Sequence, residues 1–293
     1  MNHGRPEAGG SGAAGRPASE PSISLSGVGK SFRAARGGEV VALKDMTFSV
    51  AEETFVTLLG PSGCGKSTAL RLVDGLIAHD AGTIDVLGGA PKPGPEIGFV
   101  FQSFRLIPWA TARANVEFGL KALNLAKPER VERALHHLDL VGLSRFKDAY
   151  PGELSGGMKQ RVALARAYAT EPRLLLMDEP FASIDTQTRE LMQVELMRDR
   201  SARRSTVLFV THSVDEAILL SDRIMLMGPR PGRVIETVDV GLDRPRWTYD
   251  ARAEPRYIEL RSYLSARIRE LVLSDPGSEF YGRDLGTPPA GGG

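Results

Sequence analysis

One nine-residue stretch constrains this chain more than any other: Gly60-Pro61-Ser62-Gly63-Cys64-Gly65-Lys66-Ser67-Thr68. It matches the template of glycine, four residues, Gly-Lys and Ser or Thr that cradles nucleotide phosphates. The context agrees, because Phe55-Val56-Thr57-Leu58-Leu59 reads as a buried strand and the residues from Thr68 to about 77 read as a helix. Glycines let successive N–H groups turn toward phosphate oxygens, and the helix N-terminus favours the same anion. Lys66 then reaches the β- and γ-phosphates, and the Ser67 hydroxyl is placed to ligate Mg²⁺. The alternative, a glycine-rich turn with an incidental lysine, leaves the flanking strand and helix unexplained.

Composition narrows the setting. The 293 residues suffice for a full α/β core, and 37 basic against 36 acidic residues give no charge that calls for nucleic acid. The single cysteine, Cys64, cannot close an internal disulfide; it suits a reducing compartment and is a candidate for reaction with thiol reagents. No apolar run approaches the roughly 18 to 20 residues of a membrane span.

Residues 1–20 read as a disordered leader of Gly, Ala, Pro, Ser and Arg. Short alternating strands follow at Ile23–Ser26, Val40–Leu43 and Met46–Val50, predicting an antiparallel sheet ahead of the nucleotide core. Phe32 can stack on an adenine or pack as a half-buried strand aromatic. Residues 82–89 read as a short hairpin strand and turn, and Ile97–Phe101 as another apolar strand. Gln102 at its end either touches Mg²⁺ and the attacking water or faces solvent.

Residues 103–150 change to helical periodicity and read as a helical insertion; His136 and His137, adjacent on one helix, point to different faces and make a poor metal pair. Leu154-Ser155-Gly156-Gly157-Met158-Lys159-Gln160-Arg161 then leads into a helix over 162–169, and Ser155 with two glycines makes a second anion site. The buried strand Leu174–Met177 ends in Asp178-Glu179. Two carboxylates there are costly unless one holds a cation and the other works on water, which assigns Asp178 to Mg²⁺ and Glu179 to general base. Asp185 falls in a loop before a helix over 187–200. The strand Thr206–Val210 ends in Thr211-His212, with the histidine placed for a γ-phosphate or for a purely structural bond. A helix over 214–221 and strands at 223–227 and 234–238 close the core, and the spacing of Leu260, Leu264, Ile268 and Leu271 predicts a C-terminal amphipathic helix.

From about residue 22 to 240 the chain resembles the ATP-binding cassette (ABC) ATPases, on GPSGCGKST at 60–68, Gln102, LSGGMKQR at 154–161, LLLMDEP at 174–180, Asp185 and His212 in family order. The resemblance implies a P-loop NTPase (RecA-like) α/β core with an N-terminal antiparallel β-subdomain and an inserted α-helical subdomain. It divides the chain into a leader (1–20), an ATPase domain (21–245, helical part about 103–165), a helical extension (246–274) and a flexible tail (275–293).

The resemblance also implies ATP and Mg²⁺ as cofactors and a dimer in which Ser155, Gly156 and Gly157 of one cassette contact ATP on the phosphate loop of a second. Phe32 becomes the adenine-stacking aromatic, Gln102 a sensor of γ-phosphate and Mg²⁺, Asp185 a residue of the dimer seam and His212 the switch histidine. Phe32 stands where tyrosine is common, Met158 where many members have glutamine, and Ala182-Ser183-Ile184-Asp185 where Ala-Leu-Asp is usual. No charged catalytic group is lost.

Leu106-Ile107-Pro108-Trp109, Asn115-Val116, Tyr150-Pro151-Gly152-Glu153, residues 211–234 and Arg256–Arg261 look like the importer ATPases for nitrate, sulfonates and taurine. This resemblance implies an ATP-hydrolysing subunit at the cytoplasmic face of the inner membrane, a separate permease gripped by the helical insertion, and an indirect solute-binding protein. A soluble ABC ATPase acting on nucleic acid or ribosomes is the alternative, but long coiled-coil insertions or tandem cassettes are missing. A small-molecule kinase would leave LSGG and Asp178-Glu179 unexplained.

Overall fold

Three strands without a polar break set the centre of the molecule. In the computed structural model, which describes residues 21–33 and 37–283, β3 (Phe55–Leu59), β6 (Leu174–Asp178) and β7 (Thr206–Thr211) are buried along their whole lengths. Continuous burial is what parallel strands covered on both faces require. They sit in a six-stranded sheet ordered β5-β6-β7-β3-β8-β9, where β5 is Ile97–Val100, β8 Arg223–Met227 and β9 Val234–Asp239. All neighbours are parallel except β9, which pairs antiparallel with β8 and alternates between half-buried and exposed as an edge strand does.

A second sheet, ordered β2-β1-β4, is antiparallel and lies toward the N-terminus: β1 is Ile23–Arg33, β2 Glu39–Val50 and β4 Ala81–Val86. Here the structure corrects the sequence reading. β1 runs seven residues past Ser26, and the two fragments expected at 40–43 and 46–50 are one strand, because register shifts absorb the glycines and polar residues without ending the ladder. Residues 81–86 are a strand paired with β1, while the bridge from Val86 to Gly89 closes only a tight turn. The leader over 1–20 and the end of the tail, 284–293, lie outside the described residues; 275–283 make a run of hydrogen-bonded turns.

Packing divides into three clusters. One joins β1, β2, β4 and α1 (Lys66–Val73) to one face of the large sheet. A second joins α2 (Ala112–Leu120), α3 (Lys127–Leu140), α4 (Gly156–Tyr168) and α5 (Thr186–Arg203) to the other face, around Phe55, Phe181 and Phe209. The third ties α6 (Val214–Leu220) and Leu226 to Tyr257, Leu260 and Leu264 of α7 (Pro255–Ser274), so the expected C-terminal helix packs on the core through its apolar stripe. Asn115, fully buried, holds the loop before α2 by accepting from the Ile107 N–H and donating to three carbonyls.

Candidate functional site

Strand order alone brings the chemistry together. β5, β6, β7 and β3 are four consecutive parallel neighbours, so Gln102, Asp178-Glu179, Thr211-His212 and Gly60 emerge side by side at their carboxyl ends. Ligands of open α/β sheets bind at that edge.

After β3 the chain turns through the phosphate loop into α1, which starts at Lys66, two residues earlier than the sequence suggested. Gly65 adopts φ +100° as the helix N-cap, and a Cβ there would lie 2.6 Å from Leu43 Cδ2 and 3.0 Å from the Ala42 carbonyl. Only glycine fits, which leaves the loop N–H groups open toward the sheet edge. Lys66 is buried, and its ammonium donates to the carbonyls of Gly60 at 2.7 Å and Pro61 at 2.8 Å. Among the described residues it forms no ion pair with a carboxylate. A buried cation satisfied only by dipoles is suited to an incoming phosphate.

The Ser67 hydroxyl donates to Asp178 Oδ1 at 2.8 Å, joining α1 to β6. Burial pushes the Asp178 carboxyl up, and the Ser67 bond pulls it back down. Two hard oxygens at this distance, beside a phosphate loop, fit Mg²⁺, which keeps waters and phosphate oxygens for its remaining positions.

Glu179 has a left-handed backbone, φ +47°, uncommon for a side chain of this kind. Its N–H donates to the Val210 carbonyl at 2.9 Å, which pins the strained residue to β7. The carboxylate that results points at two neighbours: Gln102 Nε2 donates to Oε2 at 3.4 Å, and His212 Nδ1 lies 3.3 Å from the same oxygen. Gln102 and His212 are exposed, and Glu179 is half-buried between them. The other carboxylate oxygen is free to accept a proton.

The signature segment lies elsewhere. α4 begins at Gly156, six residues before the sequence suggested, because the Ser155 hydroxyl accepts from the Met158 N–H and caps it. The glycines thus form the first helical turn. Their nearest neighbours are Phe104 for Gly156 and the Ser183–Ile184 backbone for Gly157, with no atom of the phosphate loop. Asp185 caps α5 by accepting from the Thr188 N–H at 3.0 Å, a bond that lowers its carboxyl. So Ser155, Gly156 and Gly157 join the Asp185 loop, while the phosphate loop joins Gln102, Asp178, Glu179 and His212. Phe32, on β1, is 41% exposed with Lys30 Nζ 5.5 Å from its ring centre.

Cys64 requires a correction. It is 1% exposed and burial raises its thiol, so the expected reactivity toward thiol reagents is not supported. The turn over 228–233 is legible in the sequence, but its role behind the phosphate loop is not. Arg230 donates through Nε and Nη2 to the Gly63 carbonyl, and a Cβ on Gly232 would sit 1.9 Å from the Cys64 carbonyl. Gly-Pro-Arg-Pro-Gly signals a turn, but nothing local tells which loop it supports.

The comparisons with known proteins agree with this geometry. The family model described as ABC transporter matches residues 43–182. A putative ATP-binding protein of Brucella abortus is 46% identical over 83% of this chain and 92% of its own length. The nitrate import ATP-binding protein NrtD of Synechocystis is 43% identical over 79% of this chain and 90% of its own. The taurine import ATP-binding protein TauB of Rhizobium johnstonii is 46% identical over 80% and 92%. Among solved structures, the dimeric post-hydrolysis state of the ATP-binding cassette MJ0796 bound to ADP and Pi superposes with a TM-score of 0.69 at 32% identity, covering 74% of this chain and 98% of that one. A phosphate loop, two strand-end carboxylates and a histidine on one sheet edge, in a chain that covers about nine-tenths of the length of relatives 43 to 46% identical, make it a member of the ABC transporter ATP-binding family and an ATPase.

Proposed function

We propose that this ATPase is the nucleotide-binding subunit of an importer for a small anionic or organic solute of the nitrate, sulfonate or taurine type, working as a dimer on a separate permease. The names of the nitrate and taurine import relatives support the solute class.

In this reading Phe32 stacks on the adenine, the loop Gly60–Thr68 wraps the phosphates, and Lys66 exchanges its own loop carbonyls for phosphate oxygens. Ser67, Asp178 and Gln102 would hold Mg²⁺, which would supply charge neutralisation on the transferred phosphoryl group. Glu179 takes the proton from the attacking water, held in line by its left-handed backbone, while His212 contacts the γ-phosphate and fixes the Glu179 carboxylate. Ser155, Gly156 and Gly157 serve a second copy's nucleotide, since within one chain they face the Asp185 loop. That separation, and the dimeric state of the MJ0796 cassette, support a pair of chains closing over two nucleotides.

The observation that carries the permease reading is a cleft of about 360 Å³ between β5 and helices α2 and α4. Phe99, Phe101 and Phe118 line it together with Arg105, and it begins one residue from Gln102. Trp109, 81% exposed, stands on the same loop. Exposed aromatics around a cleft mark a partner site, and the adjacency to Gln102 links that partner to the nucleotide. Among the described residues no helix is long and apolar enough to cross a membrane, and in this reading the channel is a separate chain. A peripheral position on the cytoplasmic face of the inner membrane, and a solute-binding protein delivering cargo to the permease, complete the reading.

Affinity purification from detergent-solubilised native membranes tests it. Co-purification of a polytopic membrane protein is expected, and Trp109→Ala with Phe118→Ala should weaken it. Recovery of ribosomes, nucleic acid or soluble proteins alone would contradict the importer reading and favour a soluble ABC ATPase.

A further inference from the structure

A second large cleft lies away from the nucleotide site. It measures about 1000 Å³ and is enclosed by α5, the start of α6, the turn at 251–253 and α7. That volume lies at the top of the range that holds small-molecule ligands.

Its walls carry four arginines against three carboxylates. Two of the arginines are matched: Arg252 to Glu190 and Arg261 to Asp215, each at 2.7 Å. The third carboxylate, Glu216, is buried and accepts the Thr211 hydroxyl at 2.6 Å, and burial pushes it up toward its neutral form. Arg189 and Arg269 remain. Arg189 donates only to the Ile184 carbonyl, and its Nε is buried without a partner. Arg269 makes no hydrogen bond or ion pair among the described residues. Between them Gln193, 3% exposed, presents an amide whose Oε1 is buried and unpartnered. Arg189 and Arg269, neither in an ion pair with a carboxylate among the described residues, leave one cleft with an excess of positive charge, and that excess points to an anionic ligand.

We propose that this cleft binds a small oxyanion, a sulfate, sulfonate or phosphate group, between Arg189 on α5 and Arg269 on α7. The guanidinium fork matches two oxygens of such a group, whose negative charge balances the arginines left unpaired in the cleft. Gln193 orients the ligand by donating from its amide NH2 to an oxyanion oxygen. The two helices bridged are informative: α5 starts immediately after Asp185, and Ser213 of the same cleft follows His212. On the proposed function, occupancy then modulates ATP turnover from outside the nucleotide site.

The source of the anion has two chemical origins, a solute-like sulfate or sulfonate and the phosphate released by hydrolysis. Calorimetric titration of the full chain with sulfate, ethanesulfonate and inorganic phosphate, at constant ionic strength, separates them. It is run on wild type, Lys66→Ala and Arg269→Gln, the first variant removing the phosphate loop as a competing anion site. We expect at least one probe to bind in a manner that survives Lys66→Ala and weakens about tenfold or more in Arg269→Gln. Arg269 holds no other residue in place, so its variant folds as wild type does; Arg189→Gln is expected to repeat the loss. Binding of phosphate alone assigns the site to the hydrolysis product, and binding of sulfate or sulfonate to the solute class. Binding indifferent to Arg269→Gln, or no binding of any probe outside the phosphate loop, overturns the proposal.

Discussion

His212 Nδ1 lies 3.3 Å from Glu179 Oε2, across the seam between β7 and β6. With its proton on Nδ1 the imidazole holds the carboxylate by one oxygen and presents its other nitrogen outward, which on the proposed function would couple a γ-phosphate contact to the aim of the base. His212→Ala removes both effects. ATP turnover in steady state is expected to fall by roughly 10²-fold, while nucleotide affinity, measured by fluorescent-nucleotide titration, changes far less. Equal losses in both would mean that His212 serves binding alone.

On the proposed function the adenine contact falls to Phe32, which is exposed on β1 beside Lys30. Removing the ring with Phe32→Ala is expected to weaken ATP binding by roughly tenfold, the scale of one base-stacking contact. Phe32→Tyr should retain wild-type affinity. Comparing ATP with inorganic triphosphate as competitor identifies the base as the group lost, because triphosphate should bind both variants alike.

Gly232 packs edge-on behind the phosphate loop, donating to the Ala42 carbonyl at 2.9 Å and accepting from the Lys44 N–H at 3.2 Å. A methyl group there collides with the Cys64 carbonyl, so Gly232→Ala displaces the loop rather than merely crowding it. The expected readout is an ATP affinity lower by at least tenfold, with a cooperative urea unfolding transition still present. Unaltered affinity would show that the loop does not depend on this turn.

These cases separate what the sequence could show from what it could not. The phosphate loop, LSGG and Asp178-Glu179 were legible because each needs its residues at fixed local spacing, and the buried strands because their apolar runs are unbroken. Gly232 and Arg230 lie about 170 residues beyond the loop they brace, a contact no local pattern carries. The length of β1 was hidden because Lys30 and Ser31 alternate weakly, and pairing with β2 decides the matter. The start of α4 was misplaced because glycines argue against a helix, whereas the Ser155 cap overrides that preference. Whether Gln102 faces solvent or the site depended on Glu179, which arrives from another strand.

Asp74, after α1, is buried and among the described residues receives no hydrogen bond to its side chain, and burial pushes its carboxyl up to about 7. A carboxylic acid raised by folding costs nothing where it is protonated in both states, and costs stability progressively where the unfolded chain has ionised and the folded one still holds its proton, levelling off once both are ionised. The loss therefore develops as pH rises from the ordinary carboxylate range through 7. Asp74→Asn removes it. Relative to wild type, the variant is expected to gain stability between pH 4 and 8, up to a limit of about 4 kcal/mol, as read from urea midpoints. A difference independent of pH would contradict the burial argument.

The most direct test of the account is ATP hydrolysis and binding by Glu179→Gln, measured side by side. The site geometry predicts undiminished binding of Mg²⁺ and ATP, because Lys66, Ser67 and Asp178 are untouched, with turnover lower by roughly 10²- to 10⁴-fold, the contribution of a positioned general base. Wild-type turnover in that variant would remove Glu179 from the reaction and contradict the account.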